Sequence, residues 1–488
     1  MPDTTLAQRL ANFAVAASFE TLPPEVVDSV RKRVLDILGI CIAAAPLDTS
    51  AAARAYAAEQ GGIPQAHAVG TPGRMPATLA AFVNGVLAHS LDYDDTHLPS
   101  VLHPSATVVP AALAVAEAVG ANGQATIAAI AAGLETTVRI GMAGYDAQSG
   151  NSTFFEHGQH ATSICGALGG TVAAGLLQGF DPERLTHALA IAASMAAGLI
   201  EANRTGGTVK RMHCGWAAHA AVSATRLAAH GFTGPASVLE GRFGFFQAWL
   251  HGVFDASAIS AGLGETWLVP GIFFKPYPAN HFTHAAIDAA IALRRQGLRP
   301  EHVATAELGV PAPIVRTIGE PVEVKRTPQT GYMAQFSGPY AVAAGLFGGR
   351  GLGVGLADFT DQLARDPARR ALMAKVTVSA NATCTEIFPH QFPAVLRVRT
   401  NDGRELAEEV LVNRGGPERP LSYDELATKF RDNAGQRLSA EVAQLTLERV
   451  SRLDRLTDVS GLLAPLSNPS ADAASRPAEP QGDSHARV

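Results

Sequence analysis

Pro76-Ala77-Thr78-Leu79-Ala80-Ala81-Phe82-Val83-Asn84-Gly85-Val86-Leu87-Ala88-His89 runs directly into Ser90-Leu91-Asp92-Tyr93-Asp94-Asp95-Thr96-His97-Leu98-Pro99-Ser100-Val101-Leu102-His103-Pro104-Ser105. The first half is alanine-rich and apolar, and predicts a buried helix. The second half places three carboxylates within four residues and three histidines within fifteen. Solubility needs no such density of ionisable groups. Like charges this close oppose each other's ionisation, and a low-dielectric setting raises at least one pKa. That prepares a general acid or base near neutral pH. A helical continuation from Asp92 to Thr96 would put both side chains on one face. Asp94 would then lie on the opposite side of that turn from Asp92, where it holds the loop. Pro99 and Pro104 force a loop, with His103 between them.

Outward from this stretch the pattern repeats. Two helices fill residues 1 to 45, split at Leu22-Pro23-Pro24. The second carries Val26, Val30, Val34, Leu35 and Leu38 at helical spacing. Thr107 to Ala118, Ala125 to Arg139, Thr162 to Leu177, Asp181 to Ala197 and Lys210 to His230 continue in Ala, Gly, Leu, Ile and Val. Small residues let helix axes approach closely, so residues 1–270 are expected to form a compact all-α domain. Gly61-Gly62-Ile63-Pro64 and Thr71-Pro72-Gly73 read as turns.

The texture changes near Pro270. His302 to Val310, Lys375 to Ser379 and Pro393 to Thr400 have strand character, and Asn401-Asp402-Gly403 is a hairpin turn before Glu408 to Val412. Helical patches at His284 to Gln296 and Gln335 to Phe347 lie among them. The expected fold class is therefore mostly α with an α+β part: a large all-α helical domain and a smaller α+β domain over 271–415. Residues 416–462 are expected to return to the helical domain, and 463–488 to be a disordered tail.

Composition bounds the function. The chain has 488 residues, too many for one ordinary core, and is 47 % hydrophobic and 17 % charged. A net charge of −6 argues against nucleic acid as a partner. No run approaches the ~20 apolar residues that span a bilayer, and the N-terminus has no signal-peptide core. The four cysteines, Cys41, Cys165, Cys214 and Cys384, form no CxxC pair, which fits reduced thiols in a cytoplasmic protein. There is no GxSxG elbow, no Walker loop and no cofactor fingerprint.

Four further places concentrate chemistry. Glu156 to Thr162 brings His157 and His160 to the head of a glycine-rich helix; a capping turn with surface histidines is the bland alternative. Lys210-Arg211-Met212-His213 puts two cations at a helix start, where they oppose the helix dipole and suggest an anion, or else form a solvated basic turn. Lys275-Pro276-Tyr277-Pro278 gives Lys275 a rigid platform, or is a stiff linker. Phe336 to Tyr340 leads a tyrosine into an apolar helix, which alone reads best as a buried hydroxyl bonded to backbone. Together, paired lysines, histidines, an acidic cluster and a tyrosine describe a binder of a small polycarboxylate that moves protons. A metal held by His97, His103 and the aspartates is disfavoured, because the lysines compete for the same carboxylates.

The segments HSLDYDDTHLPSVLHPSATVVPA, KRMHCGWAAHAAVSATRLAAHGFTGPASVLEGRFGFF, KPYPANHFTHAAIDAAIAL and AQFSGPYAVAAGL resemble hallmark segments of the MmgE/PrpD family. That family includes 2-methylcitrate dehydratase, cis-aconitate decarboxylase and iminodisuccinate epimerase. The resemblance implies an all-α domain closed by the C-terminal helices, a smaller α+β lid, a homodimer, and no metal or cofactor. It implies that Asp92, His103, His160 and Tyr340 are catalytic and that Thr96, Lys210 and Lys275 bind substrate. His213 matches a histidine that is structural in this reading. Thr96 and His103 are seven apart, one more than in the animal decarboxylase, which resembles the bacterial dehydratase-type members. The expectation is thus a cofactor-independent, 2-methylcitrate dehydratase-like lyase that eliminates water. A cis-aconitate-type decarboxylase, an epimerase or isomerase, and a non-catalytic carboxylate-binding homodimer are the alternatives.

Overall fold

The computed structural model describes residues 4–202, 207–435 and 437–468. They divide into two compact units, one holding 4–272 and 433–468 and the other 273–432.

The first unit is helical. α1 (Leu6–Ala16) starts on a capping box made by Thr5 and Gln8. α2 (Pro24–Ala44) begins with proline in its first turn, where the missing N–H costs nothing. After α3 (Asp48–Gln60) comes a short antiparallel hairpin, β1 (Ala66–Ala68) and β2 (Thr71–Met75). The Thr71-Pro72-Gly73 segment expected as a turn is therefore strand, and the turn falls just before it at Val69-Gly70. Pro72 and Gly73 are exposed there, so edge pairing tolerates them. α4 (Ala77–His89), α5 (Ser105–Val119), α6 (Gly123–Ala143), α7 (Ala161–Leu177), α8 (Pro182–Met195) and α9 (Val209–Ala229) form the core. Every residue of α4 but Thr78 is buried, and α7 is buried without interruption from Ala161 to Gly175. Helices apolar on all sides are interior helices.

Glycine sets the spacing of these helices. α4 packs on α9 with Gly85 against Gly215; a Cβ on Gly85 would stand 2.7 Å from the Gly215 Cα. On α6 a Cβ at Gly133 would stand 2.6 Å from the Gly169 carbonyl oxygen of α7. Both obstacles are backbone and cannot rotate aside. Gly85→Ala should therefore cost about 1–3 kcal/mol, the usual penalty of overpacking, read as a lower urea midpoint.

The second unit contains α10 (His284–Arg295), β3 (Val303–Val310), α11 (Gly338–Phe347), β4 (Val376–Ala380), β5 (Ala394–Thr400), β6 (Glu405–Val410) and α12 (Tyr423–Ala434). Its sheet has the order β4-β3-β5-β6. β3 and β4 are parallel, and the other pairs antiparallel. β5 and β6 form the expected hairpin, with Gly403 at φ 84° in the turn. The second arm starts at Glu405, earlier than the expected Glu408. The fold class is as expected, mostly helical with an α+β part.

Two boundaries differ from expectation. The second unit extends past 415 to residue 432. The cause is packing: α12 buries Leu426, Ala427 and Phe430, its Lys429 Nζ donates to the Lys275 carbonyl at 2.8 Å, and Glu425 pairs with Arg414 at 2.6 Å. The chain then returns to the first unit with α13 (Ala440–Ser451) and α14 (Ser460–Ser467). α14 overruns the expected tail start at 463, because Leu462, Leu463 and Leu466 are buried and Leu466 O accepts from Gly70 N at 3.0 Å. The rest of the expected tail, from 469 onward, lies outside the described residues. Among the described residues no single helix is long and apolar enough to cross a membrane.

Candidate active site

α4 ends at His89, and the acidic stretch after it is a loop. The helical continuation from Asp92 to Thr96 is not formed. Asp92 has φ 51°, a left-handed conformation that ends any helix and that Asp tolerates better than most residues. His97 and Leu102 close the loop by a reciprocal pair of backbone bonds, 2.8 and 3.3 Å. The residues between them form the tip, with Val101 also left-handed at φ 54°.

The three carboxylates have three tasks. Asp95 is buried and accepts from Arg33 of α2 at 2.5 Å, and from Ser105 at the start of α5 through Oγ at 2.5 Å and N at 3.2 Å. Arg33 is buried too and donates to the Ile272 and Val269 carbonyls at 2.7 and 3.2 Å. Burial pushes Asp95 up and pulls Arg33 down, each opposed by the partner's charge. This pair anchors the loop. Asp94 is fully buried and lies 2.7 Å from His89 Nδ1. Asp92 remains partly exposed, with Oδ1 3.9 Å from Lys210 Nζ in the first turn of α9.

His103 is held by the anchored loop. Its Nδ1 lies 2.6 Å from the Asp95 carbonyl oxygen and 3.3 Å from Thr96 Oγ1. A carbonyl can only accept, so Nδ1 carries the proton, and Nε2 is the nitrogen that exchanges one. The His103 backbone N–H donates to Thr162 Oγ1 of α7 at 3.1 Å, tying the loop to the helix that His160 heads. His160 Nδ1 is 3.0 Å from His213 Nδ1 of α9. Burial, the nearby His89 and Lys210 depress both rings, His213 to about 4 and His160 well below its ordinary value. Two neutral rings at that distance share one hydrogen, one nitrogen donating and the other accepting.

The expected residues of the first unit thus converge. Asp92, Thr96, His103, His160 and Lys210 belong to one constellation built on α4, α7, α9 and the loop. His213, read as structural, lies inside it. Two members had no assigned role. His89 stands 5.4 Å from His103 and 5.3 Å from His160 between ring centroids. Arg33 was passed over although a charge amid Val30, Val34 and Leu35 on a buried helix face signals a buried partner. Among the described residues no three His, Cys, Asp or Glu side chains are arranged to hold a metal ion.

Lys275 and Tyr340 lie in the second unit. Lys275 is buried, and its carbonyl receives Lys429. Tyr340 follows the Ser337 cap of α11, is fully buried, and donates its hydroxyl to the Asp358 carbonyl at 2.5 Å. Burial raises its pKa far above the ordinary value. Its hydroxyl proton is engaged with the Asp358 backbone carbonyl.

A carboxylate-and-histidine centre set in a glycine-packed helical unit, joined in one chain to an α+β unit, defines the class. The chain matches the MmgE/PrpD N-terminal domain over residues 8–256 and the MmgE/PrpD C-terminal domain over 277–455, and it belongs to the MmgE/PrpD family. It is similar to cis-aconitate decarboxylase of Mus musculus, with 30 % identity over 83 % of this chain and 81 % of the relative. The Homo sapiens enzyme of that name is 30 % identical over 81 % of each chain. The Aspergillus terreus enzyme is 28 % identical over 82 % of this chain and 83 % of its own.

Proposed function

We propose that the protein is a lyase that decarboxylates cis-aconitate or a close tricarboxylate relative. The observation that carries this is Lys210 beside Asp92 at the partly exposed edge of the buried histidine cluster, in a chain whose relatives bear the decarboxylase name. Lys210 anchors a carboxylate by a charge-assisted bond. The bond from carbon to the departing carboxylate breaks, its electron pair stays with the carbon skeleton, and one proton is delivered to that skeleton through His103. Asp92 and Thr96 orient Lys210 and His103. Lys275 remains a substrate-anchoring residue in this reading. In this reading the protein is also a cytoplasmic homodimer, and sedimentation velocity checks the dimer.

Elimination of water from a 2-methylcitrate-like substrate is the second reading, favoured by the seven-residue step from Thr96 to His103. The loop geometry reduces its weight. The His97–Leu102 bridge confines the step's length to the tip, while Thr96 Oγ1 keeps its 3.3 Å approach to His103. Proton NMR of the purified protein with cis-aconitate, 2-methylcitrate and a chiral dicarboxylate separates the readings. Carbon dioxide release from cis-aconitate supports decarboxylation. Water loss from 2-methylcitrate alone overturns it, and so does solvent exchange of the dicarboxylate alone.

Lys210→Met is expected to raise KM about 10- to 100-fold, the weight of one charged hydrogen bond, with little change in Tm because the side chain is partly exposed. An unchanged KM would remove Lys210 from the substrate contact.

A further inference from the structure

We propose that His89, clamped by Asp94, is a positioning residue of this site: its ring stands beside both His103 and His160 and fixes the charge against which those two imidazoles exchange protons. The inference rests on the reading that this cluster is the reacting centre.

The geometry leaves the pair little freedom. His89 closes α4, where its neighbour Ser90 bonds back to Val86 O at 2.6 Å. Both His89 and Asp94 are buried, and either alone would be a costly isolated charge. At 2.7 Å they form an imidazolium–carboxylate pair whose charges compensate. The titratable groups that face the pair come from four elements, and Asp95, next in the loop, is a like charge beside Asp94. Cys41 of α2 faces Asp94, and Cys214 of α9 faces His89. His103 approaches from the loop and His160 from the head of α7. Lys210 adds a second positive charge that acts on His160 and His213.

Burial works against a charged His89, but Asp94 and Cys214 outweigh it and hold the ring above its ordinary pKa. A fixed cation there opposes protonation of its neighbours, in accord with the depressed His160 and His213. Removing the cation must therefore raise the pKa of those neighbours. No contact of His89 with substrate is required.

Histidine-selective nitrogen-15 NMR of the full chain provides the test. The wild-type protein should retain one imidazolium signal at pH 8, and His89→Gln should lose it. In His89→Gln and in Asp94→Asn the His160 and His213 titrations should move to higher pH. With turnover as the second readout, His89→Gln should lower kcat about tenfold, with KM changed by less than about threefold and the acid limb of the profile shifted upward. An ordinary His89 titration near pH ~6.5 in the wild type overturns the proposal. Unmoved pH profiles in both folded variants do so as well. The wild-type titration needs neither a variant nor a substrate. Failure to turn over cis-aconitate would therefore sink the decarboxylase reading and leave this result to be judged separately.

Discussion

His103→Ala is expected to lower kcat on cis-aconitate about 10²- to 10⁴-fold, the range for loss of one positioned acid/base group. Three contacts single out this residue. The Asp95 carbonyl takes the Nδ1 proton, Thr96 Oγ1 lies beside the same nitrogen, and Thr162 holds the backbone. The ring is thereby fixed in orientation and tautomer, with Nε2 as the exchanging atom. It is half-buried where His160 and His97 are buried, so it can meet both substrate and solvent. His103→Gln should recover little, because an amide N–H can replace the ring's donation to the Asp95 carbonyl but cannot exchange a proton. Steady-state kinetics with a parallel melting curve is the check, since the fall should be in kcat while Tm stays close to the wild type. Activity within a few-fold of wild type would remove His103 from the proton transfer.

Arg33→Met should destabilise the protein by about 3–5 kcal/mol, the cost of breaking a buried ion pair from one side. The deletion leaves Asp95 with two Ser105 bonds and no cation. The pH dependence follows from the direction of the Asp95 shift. Burial already pushes this carboxyl above its ordinary value, and Arg33 opposes that push. Without Arg33 the folded-state pKa rises further above the unfolded one. The folded variant then binds a proton that the unfolded chain has released, so its stability falls as pH rises through that interval. The deficit relative to wild type should be greatest near neutral pH and narrow toward acid. Urea denaturation at several pH values measures this. Arg33→Met with Asp95→Asn should regain most of the loss, because no uncompensated charge remains. A single variant within 1 kcal/mol of wild type at every pH would contradict the anchoring role.

Periodicity and turn chemistry carried most of the fold. The interior helices announced themselves as long runs of small apolar residues, and Asn401-Asp402-Gly403 marked the hairpin that β5 and β6 form. Pro99 and Pro104 marked the loop that presents His103. The hairpin at 66–75 was hidden because Pro72 and Gly73 are turn residues that an exposed edge also accepts. The boundary at 432 was hidden because α12 has the same amphipathic texture as the helices after it. Its allegiance is set by Leu426, Phe430 and Lys429, and these contacts are long-range.

In the site, residue types were more legible than pairings. Asp94 was read as a loop holder from an angle around a helix, and that helix does not exist. Asp94 holds the loop because His89 meets it across a sharp reversal at Asp92. Arg33 and Asp95 are 62 positions apart, so no local pattern could couple them. The seven-residue step from Thr96 to His103 is visible in the sequence as a spacing, but not that the His97–Leu102 bridge closes its tip and leaves Thr96 Oγ1 3.3 Å from His103 Nδ1.

In the proposed reaction the His103 cluster delivers one proton to a substrate carbon as carbon dioxide leaves. Its most direct test is turnover of cis-aconitate in D₂O, followed by NMR and mass spectrometry, with wild type and His103→Ala in parallel. Stoichiometric carbon dioxide is expected, with a product one carbon shorter that carries a single solvent deuterium, at a rate that collapses in His103→Ala. A product that keeps every carbon, a product without deuterium, or equal rates in the two proteins would contradict it.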